Sequence, residues 1–301
     1  MHSKIIKNWH GLSRITQSIL WNLVSGLLFS IMSTMVKYTG QTLPTAQIVF
    51  GRSLFGLLAI APFIFYVGAT KVFATDRWRL QIIRSLIGVS AMSCTFYALA
   101  TLPIVDVTAI NFSKPIFILI LAAIFLRERV NALQWILTII GFIGILIILR
   151  PIPGVFDPNY LIAVLAAILV SVAITLVKEL TESESPFSVL AWFSMLSTIF
   201  SLPFAIYYWQ APTNMDWIGL IATGVIGILA QFCVIRSYAL APASYLAPLG
   251  YINILYTGTF GAIVFGHVPD ISSVIGAAII MASTFYLMRK NGKKSAMSDN
   301  A

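Results

Sequence analysis

Tyr97-Ala98-Leu99-Ala100 recurs about 140 residues later as Tyr238-Ala239-Leu240-Ala241. Each copy closes an apolar block. Each is followed by a block that carries a proline, Pro115 or Pro248, and then by a polar break, Arg127-Glu128-Arg129-Val130 or Gly266-His267-Val268-Pro269. A last block rich in isoleucine and small residues completes each copy. The offset is near half of the 301 residues, so the order of features reads as a duplicated unit.

Outward from these copies, the rest of the chain is built the same way. It is 59% hydrophobic and only 10% charged, with a mean hydropathy of +0.92. Its apolar residues fall in blocks of about twenty, the length a helix needs to cross roughly 30 Å of hydrocarbon at 1.5 Å per residue. Reading between charged and Pro/Gly-containing breaks gives spans near 18–37, 46–67, 80–101, 107–126, 133–150, 160–179, 187–208, 216–237, 243–265 and 271–289. The expected fold class is therefore an all-α integral membrane protein with ten transmembrane helices. Five helices per copy is an odd number, so the second repeat is expected inverted relative to the first. The expected organisation is an N-terminal cytoplasmic segment 1–17, a first five-helix repeat 18–150, a junction 151–159, a second repeat 160–289 and a cytoplasmic tail 290–301.

The first block follows a basic segment with Lys4, Lys7 and Arg14. It is too long for a signal peptide, no small-x-small cleavage site follows it, and it reads as the first span. The net charge of +9 would suit nucleic acid, but the basic residues sort by side of the membrane and form no single patch. With a cytoplasmic N-terminus, the inside segments hold Lys4, Lys7, Arg14, Lys71, Arg77, Arg79, Arg127, Arg129, Lys178, Arg236, Arg289, Lys290, Lys293 and Lys294. The outside loops keep Lys37 and Arg150 at their edges. That bias places both termini in the cytoplasm, for an even number of spans, in a bacterial inner membrane. Short loops leave no room for a soluble catalytic domain. Cys94 and Cys233 lie within predicted spans and read as small buried side chains. Inverted repeats with short loops are characteristic of secondary transporters, whose site lies near the midplane between the halves.

These residues resemble the drug/metabolite transporter superfamily, specifically its EamA-type ten-helix carriers, over almost the whole chain. The resemblance rests on the two halves, on Arg52 opening the second span, on the Tyr-Ala-Leu-Ala steps and on the Arg127-Glu128 break. The segment from Arg236 to Gly250, RSYALAPASYLAPLG, is especially similar. One departure is Gly266-His267, where the family usually has Gly-Glu. Within the family the chain is most similar to the branch that includes S-adenosylmethionine uptake carriers of intracellular bacteria. The resemblance implies a carrier of a small metabolite, S-adenosylmethionine or a related zwitterion, working by alternating access and possible by exchange. The same scaffold also carries amino acids, nucleotide-sugar-like compounds, cations and drugs, so export of such a compound is the alternative.

Lys114 lies inside the fourth span next to Pro115, at a depth where an ionised lysine costs roughly 2.5–3.5 kcal/mol. It either snorkels, loses its charge or meets carbonyls freed by Pro115, or it faces a central cavity and binds an anionic group. No acidic residue lies in the middle of any predicted span, so a substrate is its expected counter-charge. Asp106, at the start of the same span, is a gate candidate or a solvated turn residue. Arg52 enters its span from the outside face and is a cavity candidate. Arg84, nearer a cytoplasmic end, is expected to snorkel. Arg236 is a candidate for an inner gate.

Pro115 and Pro248 each remove a backbone donor, and paired breaks in two halves point to a binding region. Near them cluster Tyr97, Asn111, Tyr245, Tyr251, Asn253 and Tyr256, with Trp21, Asn22 and Trp192 on other spans. Each serves packing or the interfacial belt, or together they hold a planar or cationic ligand. The small-residue series Gly26/Ser30/Thr34, Gly258/Ala262 and Ser273/Ala277 is expected to pack helices closely. The substrate-site expectation is thus Lys114, Pro115, Asn111, Tyr97, Arg52, Trp21, Asn22, Tyr251 and Asn253. No catalytic residue, metal or cofactor is expected: His2, His10 and His267 are the histidines of the chain, and none sits in a predicted span with a carboxylate at ligand spacing. An intramembrane lipid-linked transferase or a channel is the remote alternative. The expected partners are a small molecule and the lipid bilayer, without nucleic acid, and a monomer is compatible with this scheme.

Overall fold

In the computed structural model of the chain, the residues described are 12–102, 107, 110–149, 158–252, 256, 275–276, 278–279, 281–282 and 286. They are mostly helical, and no strand occurs among them. Helices α1 (Arg14–Thr39), α2 (Thr45–Val67), α3 (Trp78–Thr101), α4 (Lys114–Ile124), α5 (Ala132–Leu149), α6 (Asn159–Leu180), α7 (Pro186–Tyr207) and α8 (Asn214–Leu240) follow one another along the chain. Six of these, α1, α2, α3, α6, α7 and α8, are long and apolar enough to cross a membrane. The chain is a multi-pass, all-α membrane protein.

Local signals set the helix starts. The Ser13 hydroxyl accepts from the Thr16 amide at the start of α1, and the Ser185 hydroxyl accepts from Ser188 before Pro186 opens α7. At α8, Thr213 and Asp216 form a reciprocal capping box, and Asp216 also accepts from the Thr42 hydroxyl of the α1–α2 turn. Beside this tie, Gln47 donates to the Gln210 carbonyl at 2.9 Å and accepts from the Gln210 amide at 3.1 Å. At the opposite end of the bundle, Arg77 pairs with Glu179 at 2.9 Å and the Thr75 hydroxyl donates to Glu184.

Helix packing follows an exchange rule. Helix α1 lies along α8 and α3 lies along α6; α2 packs on α7; α2 meets α8 and α7 meets α3; α4 meets α6. A shift of five helices turns α1·α8 into α6·α3 and α2·α8 into α7·α3, and returns α2·α7 to itself. Pro62 inside α2 and Pro203 inside α7 occupy corresponding places. Close approach in the bundle relies on glycine. A Cβ on Gly224 of α8 would stand 2.5 Å from Phe55 Cβ and 3.0 Å from the Gly56 backbone nitrogen of α2.

Both proline-bearing segments are discontinuous. Residues 110–111 are helical, 112–113 form a turn, and α4 starts afresh at Lys114 with Pro115 in its first turn. In the second half a one-turn helix, Ala243–Leu246, gives way to a 3-10 helix, Ala247–Ile252, at Pro248. Lys114 is thus at a helix break and not inside one continuous helix. The physical reason is that Pro115 has no amide to donate and cannot continue the preceding turn.

Candidate functional site

The breaks lie beside a cavity of about 590 Å³, within the range of small-molecule sites. One face of α1 lines it through Asn22, Ser25, Gly26, Phe29, Ser30 and Ser33, a run of i+3 and i+4 steps. One face of α3 lines it in the same way through Arg84, Gly88, Ala91, Met92, Thr95, Phe96 and Leu99. The break in the first half adds Asn111, Lys114 and Pro115, and the break in the second half adds Ala247 and Gly250. Its floor, with Ile118, Val177, Tyr238 and Ala247, belongs to the largest apolar cluster among the described residues. At the other end the lining reaches Lys37, an exposed residue in the last turn of α1.

Besides Lys37 at its rim, three cations face this space. The Lys114 ammonium makes no hydrogen bond or ion pair among the described residues, while its carbonyl accepts from the Ser171 hydroxyl at 3.3 Å. Arg52 is buried and directs Nε at the Met32 sulfur, 3.3 Å away, and Nη1 at the Met92 sulfur, 2.7 Å away. On its other side lies a void of about 10 Å³, room for one water, bordered by Ser53, Ser194, Ser197 and Gln231. Arg84 is buried with its guanidinium carbon 3.7 Å from the Phe193 ring centroid. No acidic side chain stands among the described residues of the lining. The cavity is therefore electropositive, with low-dielectric walls that strengthen attraction for an anion.

Of the residues expected at a substrate site, Lys114, Pro115, Asn111, Arg52 and Asn22 line the cavity together. Buried Asn111 Oδ1 has no hydrogen-bond partner among the described residues. Three others sit elsewhere. Tyr97 is largely exposed, its hydroxyl 3.5 Å from Asn159 Oδ1. Trp21 packs edge-on against Phe232. Tyr251 is fully buried with its ring against Gly141. Arg236 is half-buried on α8 outside the lining, one residue before Ser237, which donates to the Ser18 carbonyl at 2.9 Å. Asp106 and Asn253 lie outside the described residues.

Sequence reasoning missed Arg84, for which snorkelling was expected. The Phe193 face draws it inward, and Gly88 makes room: a Cβ there would stand 2.8 Å from Phe193 and 3.1 Å from Arg84 Nη1. Glu128 was missed too. Its two carboxylate oxygens accept from the amides of Ala243 and Ser244, each at 2.9 Å, and so join the first half's polar break to the start of the second half's broken helix. The Gly26/Ser30/Thr34 series, expected at a helix contact, lines the cavity.

The sequence profile of the EamA-like transporter family matches the chain twice, over residues 16–150 and 158–289. The chain is 32% identical to an S-adenosylmethionine uptake transporter of Rickettsia felis, over 92% of this chain and 94% of that protein. It is 31% identical to a riboflavin transporter of Vibrio cholerae, over 94% and 97% of the two chains. With a pseudopaline exporter of Pseudomonas aeruginosa it shares 26% identity, over 92% and 98%. A solved crystal structure superposes with a TM-score of 0.75 at 18% identity, covering 89% of this chain and 95% of the other, a likeness of fold.

Proposed function

The chain belongs to the EamA-like transporter family, a family of transporters and not of enzymes, and on that premise we propose that it carries a small, carboxylate-bearing metabolite across the bacterial inner membrane by alternating access. The observation that supports this most directly is the cavity at the two helix breaks, with the Lys114 ammonium at its wall and unpaired among the described residues. A cation held there without a partner favours a cargo that brings its own negative charge. Exchange of packing partners under a five-helix shift supports two inverted five-helix halves rocking about this site. With both termini in the cytoplasm, the lining's reach toward Lys37 corresponds to a state open to the outside. The ties at the other end, Arg77–Glu179 and Thr75–Glu184, then brace the cytoplasmic side.

S-adenosylmethionine is the first candidate cargo, because it bears a carboxylate and because similar proteins in Rickettsia take it up. Exchange against a related solute suits a lining without a proton-carrying carboxylate. Export of a metabolite is the second reading, favoured by the similarity to the pseudopaline exporter.

The test is thermal unfolding of purified wild type and Lys114→Met across anionic, zwitterionic and cationic metabolites, S-adenosylmethionine and S-adenosylhomocysteine included. A ligand bound by the folded state alone stabilises it by about 2.7 kcal/mol at a hundredfold excess over Kd. A carboxylate-dependent rise in Tm that vanishes in the mutant is the expected outcome. Equal rises in both proteins, or none with any carboxylate, remove Lys114 from the site.

A further inference from the structure

Resting on the reading of the cavity as the cargo site, we propose that the cargo carries at least two anionic groups, one held by Lys114 and another by a separate subsite built from Arg52 and Arg84. The two subsites stand on different elements: Lys114 on the break that opens α4, the arginines on α2 and α3. Arg84 is only 3% exposed, and its Nε and Nη1 have no hydrogen-bond partner among the described residues. Stacking on Phe193 satisfies the face of the guanidinium and leaves its in-plane donors unused. Arg52 has thioether sulfurs as its hydrogen-bond partners, and these are weak acceptors. Both arginines line the same cavity.

A structural arginine buried in a membrane protein pairs with a carboxylate or a row of carbonyls, because an unpaired buried donor carries its full desolvation cost. Two arginines that face one cavity and find sulfur and a ring as neighbours are arranged for an acceptor that arrives from outside. The guanidinium fork fits a carboxylate or phosphate through paired hydrogen bonds, which Lys114 cannot offer. Glycines keep room beside both forks. A Cβ on Gly88 would approach Arg84 Nη1 to 3.1 Å, and one on Gly227 would approach Arg52 Nε to 2.9 Å. All three cations come from the first half of the chain, while the second half contributes Phe193, Gln231 and Tyr238 to the same wall. A compound with one carboxylate and two cationic centres, such as S-adenosylmethionine, satisfies Lys114 and leaves the arginines unmatched. Dianionic cargo matches both, so on this proposal a dianionic metabolite replaces S-adenosylmethionine as the first candidate.

The experiment compares α,ω-dicarboxylates from malonate to pimelate with monocarboxylates of equal chain length, at constant ionic strength, by thermal shift on wild type, Arg84→Met and Lys114→Met. In parallel, wild-type protein is treated with phenylglyoxal and adducts on Arg52 and Arg84 are followed by mass spectrometry. At least one dicarboxylate is expected to bind about tenfold or more tightly than its monocarboxylate, a difference of about 1.4 kcal/mol. Arg84→Met should lose that preference while its ligand-free Tm stays level or rises, since it removes an unpaired buried charge. The bound dicarboxylate should slow adduct formation on both arginines in wild type, a readout that does not depend on any variant folding. The proposal is overturned if no dicarboxylate is preferred, if Arg84→Met keeps the preference, or if the adducts form equally fast with and without the ligand. Loss of binding in Lys114→Met with retention in Arg84→Met defeats the second subsite and leaves the cargo-site reading standing. Retention in both defeats the cargo-site reading as well.

Discussion

Replacing Glu128 by glutamine removes the charge from a clamp that joins the two halves. The carboxylate accepts from two successive amides, Ala243 and Ser244, each at 2.9 Å, at the start of the one-turn helix that follows Pro242. The segment that delivers it takes a tight path: Arg127 has φ +52°, unusual for a residue with a side chain, and the Glu128 amide returns to the Ala122 carbonyl at 3.1 Å. Glutamine keeps one carbonyl oxygen and turns an amide NH2 toward the second donor. One charge-assisted hydrogen bond is lost, and one backbone amide is left facing another donor. Hydrogen bonds to a charged group contribute about 1.5–3 kcal/mol, and half-burial of Glu128 favours the low end, about 1.5–2 kcal/mol. At about 2–4 °C per kcal/mol, Tm should fall by about 3–8 °C. Intrinsic fluorescence during heating of detergent-purified protein reads this, with the exposed Glu182→Gln as a control expected to stay near wild type. Unfolding of Glu128→Gln within about 1 °C of wild type would refute the clamp.

Other expectations follow from packing and caps. Gly224→Val forces a side chain into α2, where a Cβ alone already meets Phe55 and the Gly56 nitrogen, and should cost about 1–3 kcal/mol in thermal unfolding. A Gly224→Val protein as stable as wild type would mean that α2 and α8 do not cross so closely. Thr213→Ala breaks the capping box at α8 and should cost about 1 kcal/mol, while Thr213→Ser recovers most of it. Equal losses in both variants would show that the hydroxyl is not the cap.

The helices were legible because length and apolarity alone decide what can span a membrane, and the two breaks were legible because proline cannot donate an amide. Lys114 stood out for the same kind of reason: a charge beside Pro115 in an apolar block needs an explanation. Rotation of each helix about its axis was not legible. Asn22 and Trp21 are neighbours in sequence, yet a step of one residue turns about 100° around a helix, so Asn22 meets the cavity and Trp21 meets Phe232. Tyr97 falls between Phe96 and Leu99 but off the face they share, and reaches the surface. A usable signal did exist on α3: Arg84, Gly88, Ala91 and Thr95 recur at i+4, i+3 and i+4, a small and polar stripe in an apolar helix. Arg84 was hidden because its distance from the end of α3 suits snorkelling, and nothing in the sequence shows that Phe193 of α7 lies against it.

The central claim is that this chain moves a carboxylate-bearing metabolite through the cavity at the helix breaks, with Lys114 as the counter-charge. Its most direct test is counterflow in proteoliposomes, using in radiolabelled form the carboxylate compound that gives the largest rise in Tm, for wild type and Lys114→Met side by side. Uptake is expected to saturate, to be competed by the unlabelled compound and to fall at least about tenfold in the mutant, the size of one lost charge-assisted contact. Uptake that does not saturate, or that proceeds unchanged in Lys114→Met, would contradict it.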